Sequence, residues 1–534
     1  MLLHSSPRLP VELIRPIVEY LVIVGSISHT LQARHVSRLF DREIIRALFV
    51  TYDFRYRPNC YRNTRKIGIY YEPLAGNFLV DEFKTNRFET SFLGQFRATV
   101  DWIADNCETA HPRQSYATAL CQTAVACHDP LAAVAKLGGN VQAEFTPKDL
   151  PSAALVAAAA SNDLVLASIL IYKGARSDYS FFFLGTPLTV AACRGYEEMV
   201  HLLLKHRTED VLDSLTAACS HGHSAIVETL IPNLGSNYRP WHAEQLFRAA
   251  TRGGHEECLR LLSECAQLTD LLESRLPGRR FSLLRDAAEC GHNHLVRLAL
   301  EQGDDINDVV HTDIWEFFNP LPSYSEEPLF PLVGATLMDH THTVELLLER
   351  GAHLANRGQG LPLAHAVGSG NQEITQILLD KRTPVNVNNS IAMMEAVIER
   401  QIFMMRFLAS RGGVATYDIL LYAIWDGVVP VIRVLIEELG VDPNKPSEGT
   451  PHAIPAAKEY GRADVIQLLK ELGADDPEPE IPMSTMRDPE WVCSRCIKNP
   501  DTGGTVQLWS WQNRDNDMKV KGPHWSLGLH NIIP

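Results

Sequence analysis

The residues best suited to chemistry are cysteines and histidines that lie close together in sequence. Trp491–Cys496 reads WVCSRC, so Cys493 and Cys496 form a CxxC. Two thiolates at that spacing are soft ligands for zinc, but a structural zinc site needs four ligands. There is no second CxxC, and His524 and His530 lie further away than finger spacing allows. Three other stretches cluster potential ligands: Glu289–His294 (ECGHNH), Cys219–His223 (CSHGH) and Asp339–His342 (DHTH). Each falls at a turn between two apolar runs, so these imidazoles are expected to bond backbone rather than a metal. The chain has no phosphate-binding glycine loop, no GxSxG elbow, no HExxH and no paired carboxylates on a Gly-framed loop. The expectation is a non-enzymatic chain with no catalytic residue, no metal and no cofactor.

The turns that hold these histidines recur along the chain. Compare Thr186–His206 (TPLTVAACRGYEEMVHLLLKH), Leu215–Ile231, Leu284–Asn307 and Ile454–Asp476. Each has small residues, then a Gly or near-Gly turn, then an apolar helix. Indexed by the turn residue, the copies fall at His128, Asn162, Gly195, Gly222, Gly254, Gly291, Asp339, Gly370, Arg400, Gly427 and Gly461. The steps are roughly thirty residues, with one longer step between Gly291 and Asp339.

The physics of one copy predicts a helix pair. Thr186 can cap the first helix, and Pro187 suits its first turn ahead of Leu188. Ala191 and Ala192 are small where neighbouring first helices lie close together. Gly195 can take the left-handed conformation that ends the helix. Met199, Val200, Leu203 and Leu204 then give the second helix an apolar stripe. Ala218 with Gly222, Ala250 with Gly254, and Ala287 with Gly291 occupy the same roles in later copies, as do Gly370, Gly427 and Gly461. No single pair can bury its own face, so stacked copies must share one core.

The unit resembles the ankyrin repeat, from roughly Tyr116 to Asp476. The TPLxxAA signature is intact only at Thr186–Ala192, and the turn Gly is missing at His128, Asn162, Asp339 and Arg400. The resemblance implies an all-α solenoid of about eleven degenerate helix-pair repeats. It also implies recognition of a protein ligand along the concave repeat face. The long step, Gly303–Phe330, carries Trp315, Phe317, Phe318 and Tyr324 among acidic residues and prolines. It reads either as a loop that tucks its aromatics onto the stack or as an aromatic patch for a partner.

The N-terminal segment does not fit that unit. Arg8–Leu21 reads RLPVELIRPIVEYL: Pro10 suits a first helical turn, and Leu13, Ile14, Ile17, Val18 and Leu21 recur at helical spacing. A second helix is predicted over Leu31–Phe49, with Arg34, Arg38, Arg42 and Arg46 along one face. The LPxEL opening at Leu9–Leu13 and the RxVSRxF element at Arg34–Phe40 resemble a degenerate F-box, similar to fungal F-box/ankyrin proteins. Pro16 inside the first helix and Phe40, where many F-boxes carry Trp, depart from that pattern. The resemblance implies docking through Leu9, Pro10, Leu13, Ile17 and Leu21 onto the Skp-type adaptor of a cullin–RING ubiquitin ligase. The alternative is a helical cap that seals the apolar end of the solenoid.

The predicted organisation is therefore an F-box-like module over 1–55, a connecting segment over 56–115, the repeats over 116–476, and an acidic Pro-rich linker with a Trp-rich tail over 477–534. Four of the eight tryptophans, Trp491, Trp509, Trp511 and Trp525, lie in that tail, which suggests an element that folds back or binds a partner. A net charge of −15 argues against coating nucleic acid or an anionic membrane. The nearest candidate for a membrane span, Leu13–Val24, is interrupted by Arg15, Pro16 and Glu19, so neither a span nor a secretory signal is expected. Eleven scattered cysteines fit a reducing compartment, cytoplasmic or nuclear, with most thiols as buried fillers. Two roles stand side by side: substrate receptor of a ubiquitin ligase, and transcription coregulator or signalling scaffold with no ligase.

Overall fold

The computed structural model describes residues 72–85, 92–108, 111–127, 146–181, 184–206, 211–235, 239–273, 281–307, 330–354, 361–447 and 450–477, four short tail strands, and Val18, Glu43 and Ile44. The chain divides into two units, Met1–Arg275 and Leu276–Pro534.

Among the described residues of the first unit, three helices precede the helix pairs: α1 (Glu72–Thr85), α2 (Phe92–Asn106) and α3 (Arg113–Ala126). The stretch read from sequence as a connecting segment thus carries two helices, α1 packed on α3 and α2 packed on α3 and on the first helix of the following pair. Leu79, Phe92, Phe96, Val100 and Ile103 are buried there, and the rings of Phe92 and Phe96 meet edge to face at 5.3 Å. These residues recur at helical spacing, which is why the segment folds as it does.

Four helix pairs follow: α4 (Leu150–Ser161) with α5 (Leu164–Tyr172), α6 (Pro187–Arg194) with α7 (Glu197–Leu204), α8 (Leu212–His221) with α9 (Ser224–Leu230), and α10 (Pro240–Gly253) with α11 (Glu256–Glu264). Helix α12 (Ala266–Glu273) ends the described part of this unit. First helices pack on first helices (α4 on α6, α6 on α8, α8 on α10), and second helices on second helices.

Among its described residues the second unit repeats the scheme in six pairs. They are α13 (Leu283–Cys290) with α14 (Asn293–Glu301), α15 (Pro331–Leu337) with α16 (Thr341–Glu349), and α17 (Leu361–Gly368) with α18 (Gln372–Asp380). Then come α19 (Val387–Ile398) with α20 (Ile402–Ser410), α21 (Tyr417–Asp426) with α22 (Val429–Arg433), and α23 (Ala453–Glu459) with α24 (Ala463–Glu471). Helix α22 continues as a π turn over Val434–Glu438.

The seam between first helices is built from small residues. Ala191, Ala192, Ala218, Ala250, Ala287, Ala288, Ala335, Ala396 and Ala456 are all fully buried. A Cβ alone lets two backbones approach, and the leucines and valines of the second helices then fill the wedge behind, each stabilising by roughly 1.5–3 kcal/mol when fully buried. Thr186 caps α6 by accepting from the Thr189 N–H at 3.2 Å, with Pro187 in the first turn.

Each first helix ends on a left-handed residue. Positive φ is found at Gly195 (77°), Gly222 (77°), Gly254 (78°), Gly291 (75°), Gly370 (73°), Gly427 (75°) and Gly461 (66°). It is found equally at Asn162 (55°), Asp339 (62°) and Arg400 (55°), which stand in for glycine. The N–H after the turn residue then closes the helix by donating to a buried alanine: Tyr196 to Ala191 O, His223 to Ala218 O, His255 to Ala250 O and His292 to Ala287 O, each at 3.0 Å. One alanine therefore serves both the seam and the cap. The first indexed turn, His128, lies outside the described residues.

The tail differs from the all-α repeats. Strand β1 (Cys496–Lys498) pairs antiparallel with β2 (Thr505–Gln507), and β3 (Trp509–Trp511) with β4 (His524–Ser526). The aromatic stretch over 308–329 lies outside the described residues.

Candidate functional site

The histidine-rich turns are a backbone ladder. His223 Nε2 lies 3.1 Å from Cys193 O, His255 Nε2 lies 3.2 Å from Ser220 O, and His340 Nε2 lies 3.1 Å from Glu289 O. A carbonyl oxygen can only accept, so in each case the ring nitrogen donates. Gln401 and Arg462 take the same place by donating to Gly368 O and Trp425 O, both at 3.0 Å. Each donor follows a turn residue and reaches the carbonyl two positions before the turn residue of the preceding pair. Its side chain fills the space above that glycine: a Cβ on Gly195 would lie 2.5 Å from His223 Cε1, and one on Gly291 would lie 2.6 Å from His340 Nδ1. These groups are thereby committed to the stack. Among the described residues no cluster of three or more His, Cys, Asp or Glu could hold a metal. Cys493 and His530 lie outside the described residues.

With the turns accounted for, the surface left for recognition is the part of each first helix that no neighbour covers. In the first unit Trp241 opens α10 and is 41% exposed. The Arg239 guanidinium lies over its ring at 5.0 Å, and His242 meets it edge-on at 5.3 Å. His242 is held in place because its Nδ1 accepts from the Arg239 N–H at 3.1 Å. One turn further along α10, Arg248 and Glu244 pair at 2.7 Å, both largely buried.

In the second unit α21 presents Tyr422 and Trp425, with rings 5.4 Å apart. Asp426 beside them accepts two hydrogen bonds from Arg400, Nε and one terminal nitrogen each at 3.0 Å. Burial pushes the Tyr422 hydroxyl up from its ordinary value, and the carboxylates of Asp426, Glu399 and Glu395 push it further. The Tyr422 phenol is thus a neutral donor beside a group of acids. Arg400, half-buried, stays charged: burial opposes its charge, and the Asp426 contact overcomes that and raises its pKa. An aromatic pair framed by carboxylates offers apolar area and a place for a partner's cation.

Sequence reasoning did not single out Trp241, Tyr422 or Trp425. The signal that could have found them is a large aromatic on a first helix outside the small-residue seam. It also missed the buried contact between Tyr116 and Asp163, where the phenol donates to Asp163 Oδ2 at 2.7 Å while Oδ1 accepts from the Leu166 N–H. The expected docking residues Leu9, Pro10, Leu13, Ile17 and Leu21 lie outside the described residues. From the same segment Val18, Glu43 and Ile44 are described, and all three are buried.

Residues 155–240 match the family model for ankyrin repeats in three copies. The chain is 28% identical over 256 residues to the Caenorhabditis elegans "Ankyrin repeat and KH domain-containing protein mask-1", a match that covers 44% of this chain and 9% of that protein. It is 29% identical over 208 residues to the rice "Probable E3 ubiquitin-protein ligase XBOS32", covering 37% of this chain and 38% of that protein. The chain therefore spans well under half the length of these relatives. Among solved structures, the human ASB11 ankyrin repeat domain aligns with 43% of this chain and 99% of its own, at 21% identity and a TM-score of 0.33. The fold is a helical ankyrin-repeat solenoid, and ankyrin repeats are modules of protein–protein interaction. Among the described residues no helix is long and apolar enough to cross a membrane.

Proposed function

We propose that this chain is a non-enzymatic scaffold that binds a protein ligand on the exposed side of its first helices. In the same reading, Leu9–Phe49 docks on a Skp-type adaptor and makes the chain a substrate receptor of a cullin–RING (SCF-type) ubiquitin ligase. The scaffold reading rests on one observation above others: Trp241 is a large aromatic left 41% exposed on α10, and Tyr422 with Trp425 are only partly buried on α21. Aromatic and arginine side chains of this kind dominate the energetics of protein interfaces. The ligase reading is supported by the F-box-like residues at Leu9–Leu13 and by the likeness to the rice probable E3 ubiquitin-protein ligase. The thiols fit the cytoplasm or nucleus, since none of the described cysteines is in a disulfide.

Co-precipitation of the full chain with a Skp-type adaptor tests the ligase reading. Wild type should retain the adaptor, and Leu9→Ala with Leu13→Ala should release it while thermal unfolding stays nearly unchanged. If the leucines instead cap the stack, the double variant destabilises by about 2–5 kcal/mol per buried leucine, and wild type recovers no adaptor. That outcome leaves the second reading, a coregulator or signalling scaffold that holds its ligand without a ligase. The −15 net charge suits it, because such a protein acts without touching DNA.

A further inference from the structure

Three consecutive first helices of the second unit keep one register against their left-handed turn residues, Arg400 after α19, Gly427 after α21 and Gly461 after α23. On α19 the buried seam is Ala392, Met393, Ala396 and Val397, and on α21 it is Ile419, Leu420, Ala423 and Ile424. Between these positions lie others that the seam does not cover. Met394 and Ile398 on α19 match Leu421 and Trp425 on α21, and all four are only partly buried. Helix α21 packs on both α19 and α23, so these side chains lie in one apolar strip that crosses neighbouring helices.

A second row runs beside the strip, and it is acidic. Glu395 and Glu399 on α19 match Tyr422 and Asp426 on α21, while Glu459 and Tyr460 on α23 match Trp425 and Asp426. Glu459 is exposed, and Tyr460 is 40% exposed. Both phenols feel this charge. The Tyr422 hydroxyl is raised by burial and then by Asp426, Glu399 and Glu395, with Arg400 opposing, and Tyr460 is raised by burial and then by Glu459. The neighbouring cations are held by the stack itself. Arg400 pairs with Asp426, Arg462 donates to Trp425 O and Asp426 O, and Lys458 pairs with Asp476.

The aromatics on the first helices of the two units differ in one respect. Over Trp241 the chain supplies a cation of its own, Arg239, at 5.0 Å. Among the described residues no guanidinium or ammonium lies over the ring of Tyr422 or Trp425, which are 5.4 Å apart and tilted by 56°. A positive charge brought to these rings gains from the ring quadrupole and from the carboxylates beside it. An acidic group brought to the same place meets like charge, which is costly at an interface.

We propose that α19, α21 and α23 bind a basic segment of a protein ligand, with a lysine or arginine set against Tyr422 and Trp425 and apolar residues along Met394, Ile398 and Leu421. The site rests on the first helices carrying the ligand, as proposed above, and adds the charge of what is bound there. The apolar strip supplies the area that excludes water, and the acidic row selects the sign of the partner and speeds its approach.

The test pans a phage-displayed library of random linear peptides on the immobilised full chain. Enriched peptides are synthesised, and their binding is read by fluorescence anisotropy. They should carry lysine or arginine beside apolar residues, and bind more weakly as salt rises. Trp425→Ala should weaken them roughly tenfold or more, and Glu399→Gln and Glu459→Gln by roughly two- to fivefold each. Phe403→Ala, at an exposed aromatic of the second helix α20, should leave binding unchanged. Thermal melts first establish that each variant folds like wild type, and Glu459→Gln, at an exposed position, keeps the test decisive if Trp425→Ala does not. Enriched peptides that lack basic residues yet depend on Trp425 would overturn the proposed charge and leave first-helix recognition standing. Basic peptides that depend on Trp241 and not on Trp425 would do the same for the proposed place. Peptides indifferent to both tryptophans would overturn both readings, and no enrichment over a blank surface would overturn the basic segment as ligand.

Discussion

The imidazole of His223 lies against Gly195, with its Nε2 3.1 Å from the Cys193 carbonyl, two residues before that glycine. One contact thus ties two helix pairs together at the turn, and the absent side chain of Gly195 is what makes room for it. Gly195→Ala should be costly twice over. Its φ of 77° suits no Cβ, an effect of about 1–2 kcal/mol, and the new methyl would displace the ring. His223→Ala should cost about 1–3 kcal/mol by leaving the carbonyl without its partner. Denaturant melts of the two single variants and the double variant check this: the double should cost less than the sum, because both break one contact.

Ala192 is fully buried on α6, which packs between α4 and α8. Ala192→Arg should force a charge into that seam and cost several kcal/mol. Thermal unfolding checks it, and an unchanged melting temperature would mean the small-residue seam is misplaced.

Tyr116 and Asp163 join α3 to the turn at Asn162. Tyr116→Phe keeps the ring but removes the phenol that donates to Asp163 Oδ2, and should cost about 1–3 kcal/mol. The expected signature is a lowered midpoint with an unchanged denaturant slope.

Asp149 accepts from both the backbone N–H and the hydroxyl of Thr146, at 3.0 and 2.8 Å, just before α4. These bonds, the backbone one first, lower its pKa from the ordinary carboxylate value. A carboxylate lowered in the folded state contributes stability above its unfolded pKa, and that contribution is lost as pH falls through the folded value. Asp149→Asn should therefore lower the melting temperature slightly near neutral pH and make no difference in strong acid. The effect is small because the group is exposed.

The repeat phase was legible because it is local. A buried alanine, a left-handed residue four positions later and an apolar helix beyond lie within one short window, and the phase alone located Asn162, Asp339 and Arg400, where no glycine marks the turn. Helices α1 and α2 fall within the segment 56–115, where Phe92, Leu93, Phe96, Val100 and Ile103 carry a helical period without the small-residue and turn signature of the repeats. The site was less legible. Trp241 and Trp425 look like any core aromatic until burial separates them from the seam. That the turn histidines bond backbone was legible in the sequence, but only the stacking of one turn on another shows that His223 and His340 hold the carbonyls of Cys193 and Glu289.

The most direct measurement of the central claim compares captured proteins across surface variants. The full chain, tagged and expressed in its own cells, is recovered alongside Trp241→Ala and Trp425→Ala, each first shown by thermal melting to fold like wild type. Bound proteins are quantified by mass spectrometry. A ligand held on the first helices should fall by roughly tenfold or more in at least one variant, the loss expected for an aromatic that anchors an interface. Recovery of the same proteins in the same amounts from wild type and both variants would contradict recognition on that face.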